Sequence, residues 1–167
     1  DLTNDLINVS TGYVLGKAIN LTTKILTSAG KTVYKTFSSS SIRFSQSSVN
    51  DLEEVVVSMQ KNGWKGDPID IVKMKDNIYT TVDNTRLLAA TRTGTNVQAN
   101  AHDFDDLIPA DRAKDFLNKK GEMPTTWGEA IENRIKKQNA EFKKSANSTG
   151  TFNEPKVGES KKTGTGG

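Results

Sequence analysis

Two short apolar runs, three residues apart, constrain this 167-residue chain more than any other feature. Ile69, Ile71, Val72 and Met74 lie in the first run, and Ile78, Tyr79, Thr80, Thr81 and Val82 form the second. Both are rich in β-branched or aromatic residues, and Lys75, Asp76 and Asn77 between them suit a tight turn. Runs so close together are predicted to pair as a hairpin. After it, Asp83, Asn84 and Thr85 are suited to start a helix over residues 86–92 that stops at Gly94. A third strand is expected over 97–101, ending at His102. Upstream, Ser47 or Ser48 is placed to cap a helix running from near Val49 to Asn62, with Asp51, Glu53 and Glu54 in its first turn. Its apolar face is Leu52, Val55, Val56 and Met59, and Gly66, Asp67 and Pro68 make the turn that follows. Helices are further expected over 104–107, 111–119 and 127–142, the last capped by Thr125 or Thr126. This pattern predicts an α+β fold, a small mixed sheet with packed helices.

The two ends differ from the centre. Residues 6–50 contain no Asp or Glu, and Val14, Ala18, Leu21 and Ile25 recur at helical spacing while Lys17, Lys24 and Lys31 fall seven apart. This predicts a cationic amphipathic helical segment, which packs on the rest of the protein or contacts an anionic membrane surface. Ser38 to Ser41 form a serine run suited to a linker, which puts a boundary at residue 41. Residues 42–144 are the expected folded domain. Residues 145–167 are poor in apolar side chains and rich in Ser, Thr, Gly and Lys, so they are expected to be a disordered basic tail. Charge follows the same division: the stretch 42–132 has eleven basic and fifteen acidic residues, while the flanks are net positive. A nucleic-acid enzyme holding its substrate by field alone would be basic throughout, so either the basic ends grip phosphates or another molecule presents the substrate. The absence of cysteine excludes disulfides and thiolate zinc sites. No apolar run reaches the ~20 residues of a spanning helix. A chain opening on Asp1 is expected of a fragment or a processed product.

Polar side chains concentrate at the strand-to-helix junction. Backbone N–H groups at a helix start are unpaired and attract anions. Arg86 in the first turn can offer a phosphate two parallel hydrogen bonds. Asp83 can cap the helix, pair with Arg86, or act as an acid/base group; the first two are structural roles and the third is functional. Trp64 and Trp127 are read as core or partner-contact residues. Lys136, Lys137, Lys143 and Lys144 read as a solvated face, with contact to RNA or a carrier protein as the alternative. Asp103, Asp105 and Asp106 are a weaker candidate for a divalent metal, since acids in a loop usually cap or face water.

The segment Tyr79-Thr80-Thr81-Val82-Asp83-Asn84-Thr85-Arg86-Leu87-Leu88-Ala89-Ala90 resembles the ParB box in the version carried by ParB/sulfiredoxin-like polymorphic toxin domains. The resemblance takes in Arg43-Phe44-Ser45-Gln46 upstream and Ala99-Asn100-Ala101-His102 downstream, so it spans about residues 42–105. Where many relatives have two adjacent arginines, this chain has Thr85-Arg86, which leaves one guanidinium for a phosphate. The resemblance implies the C-terminal toxin region of a CdiA-type contact-dependent growth inhibition protein. Such a toxin is delivered from the cell surface as part of a large exoprotein and acts in the target-cell cytoplasm. It further implies a ribonuclease that cleaves tRNA, a cognate immunity protein, and for some such domains a need for the translation factor EF-Tu with GTP. The basic N-terminal segment would make transient inner-membrane contact during delivery.

On that basis the expected site is His102, Asp83, Arg86, Thr85 and Thr81, working without a metal or small-molecule cofactor. Metal-free RNA cleavage needs a base for the 2′-OH proton, an acid for the leaving oxygen and cations for the phosphorane. His102 is the only histidine, and imidazole is the side chain best suited to proton transfer near neutral pH. Arg86 would hold the phosphate, Asp83 would orient or accept a proton, and Thr81 and Thr85 would bond phosphate oxygens. The alternatives are a ParB-like DNA-binding module and a metal-dependent DNase toxin. A DNA binder should carry a basic helix-turn-helix after the box, and residues 106–142, interrupted by Pro109 and Pro124, do not show one. A nucleotide-dependent enzyme on the same fold should show a Gly-rich phosphate loop, and none is present.

Overall fold

The computed structural model describes residues 7–14, 17–25 and 35–158. Its centre is a five-stranded mixed sheet built from β3 (Lys35–Phe37), β4 (Ile42–Arg43), β6 (Ile69–Lys73), β7 (Tyr79–Thr81) and β8 (Val97–Asp103), in the order β3-β8-β6-β7-β4. The expected hairpin is present: β6 and β7 run antiparallel with Val72 opposite Thr80, and the turn between them places Asn77 at φ 64°. β8 returns parallel to β6, with Ile71 opposite Ala101 and Val72 opposite His102. The strand expected to end at His102 runs on to Asp103.

Alternation along β6 sends its side chains to two separate cores. Ile69 and Ile71 face a core with Leu87, Leu88, Ala89 and Ala90 of helix α2 (Asn84–Thr93) and Leu52 and Met59 of helix α1 (Leu52–Asn62). Val72, together with Met74 just past the strand, faces a second core with Ile108, Phe116, Trp127, Ile131 and Ile135. That core is formed by the short helix α3 (Ala110–Ala113), helix α4 (Trp127–Lys136) and helix α5 (Ala140–Ala146). The sheet is therefore covered on both faces, and a polar side chain on β6 needs a partner inside the protein.

Helix ends mostly follow local chemistry. Asp83 caps α2 by accepting from the Arg86 N–H, and Gly94 ends it in the left-handed region at φ 68°. Thr126 caps α4. Helix α1 begins later than expected, at Leu52, because Ser48–Val49 form a strand, β5, paired in parallel with β9 (Lys156–Val157). The single helix expected over 127–142 is two, broken at residues 137–139, where the Asn139 side chain accepts from the Phe142 N–H and starts α5. Residues 104–107 form a turn and bridge instead of a helix, and the stretch 111–119 is only partly helical.

Three expectations about the ends need correction. Ile7–Val14 and Lys17–Ile25 are an antiparallel strand pair, β1 and β2, where a helical N-terminal segment was expected; their Val, Ile and Thr content favours extended backbone. Residues 1–6, 15–16 and 26–34 of that segment lie outside the described residues. The Ser38–Ser41 run is no linker, because Lys35–Phe37 before it pairs with β8 and Ser41 is buried. The expected disordered tail is folded as far as residue 158. Thr151 exchanges both backbone hydrogen bonds with Phe44, and Ala146 is buried in the second core. Gly150 sits at φ 118° with the space of a Cβ taken by the Thr80 side chain, so only glycine fits there. Residues 159–167 lie outside the described residues.

A buried amide joins the N-terminal part of the domain to the strand-to-helix junction. Asn84 Oδ1 accepts from the Ser45 N–H at 2.8 Å, while its Nδ2 donates to Ser45 Oγ at 3.0 Å and to Gln46 Oε1 at 3.1 Å. Asn84 and Ser45 are 2% and 0% exposed, so losing the amide strands polar groups away from water. Asn84→Ala is expected to destabilise the fold by about 2–3 kcal/mol, measured as a lower urea midpoint at unchanged slope.

Candidate active site

β6 carries one acid, Asp70, between Ile69 and Ile71. It points to the second core, on the same face as Val72. His102 on β8 shares that face, since Val97, Ala99 and Ala101 point the other way into the first core. Asp70 Oδ1 lies 2.8 Å from His102 Nε2, and Arg112 Nη1 of α3 donates to Asp70 Oδ2 at 2.8 Å. The Asp70 carboxylate is thus shared between imidazole and guanidinium, with its side chain 13% exposed. Burial pushes the Asp70 carboxyl pKa up, but the hydrogen bonds and charges of His102 and Arg112 outweigh it and hold the group below 3.8.

The imidazole is held on a second side. Its ring stacks on the Trp127 indole, with centroids 4.1 Å apart and planes 12° apart, and the Arg112 guanidinium lies 5.6 Å from the same indole. Trp127 opens α4, whose first turn is tied down by Trp127 N–H to Asp106 O and Gly128 N–H to Phe104 O. With Nε2 engaged by Asp70, Nδ1 has no protein hydrogen-bond partner among the described residues, and the side chain is 23% exposed. An Asp70-bound Nε2–H leaves a lone pair on Nδ1, which a general base needs.

A second guanidinium lies over the same face of the sheet, on α4. Arg134 of α4 donates from Nη1 to the Val82 carbonyl and lies over the Phe116 ring, 4.4 Å from its centroid. It has no carboxylate partner among the described residues. Burial pushes its pKa down to about 10, with Asp83 and Asp115 opposing that and the neighbouring Arg112 adding to it. It remains charged at neutral pH, with Asp83 and Asp115 offsetting part of its burial through space.

The five residues expected to form the site are not brought together. Arg86 donates from Nε to Asp83 Oδ2 at 3.0 Å and from Nη1 to the Asp67 carbonyl at 2.6 Å, and its guanidinium lies 5.0 Å from the Trp64 ring centroid. Trp64 packs on the first core, so Arg86 sits on the α1/α2 face of the sheet, and the His102 imidazole on the opposite one. Thr81 is buried, and its Oγ1 is occupied by the backbone N–H and carbonyl of Asp83. Thr85 is half-buried, with no side-chain hydrogen bond among the described residues. Asp83 is the cap of α2 and the ion-pair partner of Arg86. The junction is a structural clasp, and a site joining His102 to Arg86 is not formed.

Asp70, Arg112 and Arg134 are not among the residues that the sequence singles out. Asp70 had a signal: a lone acid in an apolar strand needs a partner, and the only histidine lies on a neighbouring strand. The arginines had none, because their proximity arises from α3 and α4 folding over the sheet. Trp127, expected as a core or contact residue, is 4% exposed and stacks on the candidate base. In the acidic turn, Asp106 Oδ2 accepts from the Asp103 N–H while Asp103 lies 3.6 Å from Lys73 Nζ. Among the described residues no three acids or histidines are placed to share a metal ion. Comparison with family models, with curated proteins and with solved structures finds no match to this chain.

The depressed Asp70 pKa gives a signed prediction. A carboxylate whose folded pKa lies below its unfolded value adds stability above the unfolded value, and that stability fades as pH falls through the folded one. Asp70→Asn is expected to be less stable than wild type by about 2 kcal/mol at pH 7. The gap should narrow as pH is lowered below 3.8. Urea unfolding of both proteins at pH 7 and pH 3 measures it; a gap that widens in acid contradicts the assignment.

Proposed function

We propose that this chain is a ribonuclease of the ParB/sulfiredoxin-like polymorphic toxin type, cleaving RNA by proton transfer at His102 without a metal ion. The observation that carries the chemistry is the His102 imidazole, held by Asp70 and Trp127 with Nδ1 unengaged, beside the guanidinium of Arg112. Nδ1 takes the proton of a ribose 2′-OH, and the 2′ oxygen attacks the adjacent phosphorus. The bond from phosphorus to the 5′ oxygen breaks, the imidazolium returns its proton to that oxygen, and a 2′,3′-cyclic phosphate remains. Asp70 stabilises the transient imidazolium and fixes its orientation, as a positioning residue. Arg112 supplies positive charge for the phosphorane, the role first expected of Arg86.

The choice of tRNA as substrate rests on the resemblance of residues 42–105 to toxin domains. So do delivery as part of a CdiA-type exoprotein to the target-cell cytoplasm, the cognate immunity protein, and EF-Tu with GTP as protein cofactor. The acidic balance of the central stretch suits a substrate presented by a protein carrier.

His102→Ala is expected to lower tRNA cleavage by about 10²–10⁴-fold. Arg112→Ala should lower it by about 10²-fold or more. Arg86→Ala should act through stability alone, leaving cleavage by the folded protein near wild type. The assay follows individual tRNAs in total RNA, with and without EF-Tu and GTP, and probes for a cyclic phosphate end. Loss of cleavage in Arg86→Ala with full cleavage in His102→Ala would return the site to the strand-to-helix junction.

A further inference from the structure

Away from the imidazole, α4, α5 and the turn at 118–122 enclose a hollow of about 370 Å³ lined by Lys119, Lys120, Lys136 and Lys143. Among the described residues the one carboxylate in its wall, Glu122, accepts a hydrogen bond from Asn118 Nδ2 at 3.0 Å. None of the four ammonium groups has an acidic partner within ion-pair distance among the described residues. The turn carrying Lys119 and Lys120 is braced, since Asn118 Oδ1 accepts from the N–H groups of both Lys120 and Glu122 at 2.9 Å. Asn133, one turn before Lys136 on α4, anchors the other wall by donating to the Phe116 carbonyl at 3.0 Å.

We infer that this hollow is a binding site for the phosphate backbone of the RNA substrate, outside the cleavage site; the inference rests on the ribonuclease reading above. Four unpaired cations around a concave surface select a polyanion. Among the described residues no aromatic ring lines the hollow, so these offer nothing for a base to stack on and follow the strand without reading its sequence. Lysine is depleted in the cores of protein–protein interfaces, which favours the nucleic acid over an acidic protein. Geometry links the hollow to the imidazole through one helix: Trp127 under His102 and Lys136 in the hollow are nine residues apart on α4, about 13 Å along its axis. Between them Arg134 turns toward Val82, so one helix carries a stacking support, a buried cation and the outer grip.

The test uses Lys136→Glu with Lys143→Glu, both exposed, in the full chain carrying His102→Ala so that cleavage does not enter the readout. Binding of fluorescein-labelled bulk tRNA is followed by anisotropy across salt concentrations. Affinity is expected to fall about tenfold or more, and the slope of log affinity against log salt to flatten by about one to two. A charge-matched control, Lys61→Glu with Lys156→Glu at exposed positions outside the hollow, should leave both near the His102→Ala value. Equal losses in the two double variants would mean that net charge alone acts, and would overturn the site. Unchanged tRNA binding with lost binding of polyglutamate would assign the hollow to an acidic protein and overturn it too. A wild-type chain that cleaves RNA while the hollow variant binds it normally removes this inference and leaves the ribonuclease reading standing; a chain that binds no RNA removes both.

Discussion

A carboxylate on a strand covered on both faces is the constraint that organises this protein's centre. Asp70 lies between two fully buried isoleucines on β6, where an unpaired charge would cost several kcal/mol. It is tolerated because His102 approaches one oxygen from β8 and Arg112 the other from α3. The same pairing fixes the imidazole's orientation and the position of α3, so fold stability and site geometry share one hydrogen-bonded unit. Trp127 completes it by stacking under both the imidazole and the guanidinium.

The sheet also separates two polar clusters that look continuous in the sequence. Asp83 and Arg86 begin α2 and close on Asp67 and Trp64, whereas His102 and Arg112 face the other core. Arg134 is the link between them, reaching from the His102 side to the carbonyl just before Asp83. Its charge is offset only through space, by Asp83 and Asp115.

Much of the fold was legible. The hairpin of β6 and β7 followed from two β-branched runs around a turn, α2 from Asp83 and Gly94 as cap and stop, and α4 from Thr126. Where periodicity misled, a competing local or tertiary effect prevailed. The lysines and leucines of the N-terminal segment repeat at helical spacing, yet the same residues are interleaved with Thr, Val and Ile, and the backbone is extended. Asn139 interrupts the long C-terminal helix by capping a new one. The serine run and residues 145–158 are poor in apolar groups but are held by backbone pairing: β3 leads into the one, and Phe44 and β5 receive the other. Composition measures what a segment can bury, and says nothing of the hydrogen bonds that a neighbouring edge can offer it.

The sequence by itself determined the α+β class, the hairpin and the capped helix after it, the uniqueness of His102, and the presence of an acid in an apolar strand. These follow from side-chain periodicity, turn chemistry and composition, all properties of residues close together along the chain. Only the tertiary structure decided which face of the sheet each polar group occupies. That choice gave Asp70, not Asp83, to the histidine, and Arg112, not Arg86, to its surroundings. The reason is physical: a strand shows opposite faces at successive residues, and which face a helix covers depends on distant apolar surfaces that must be buried together.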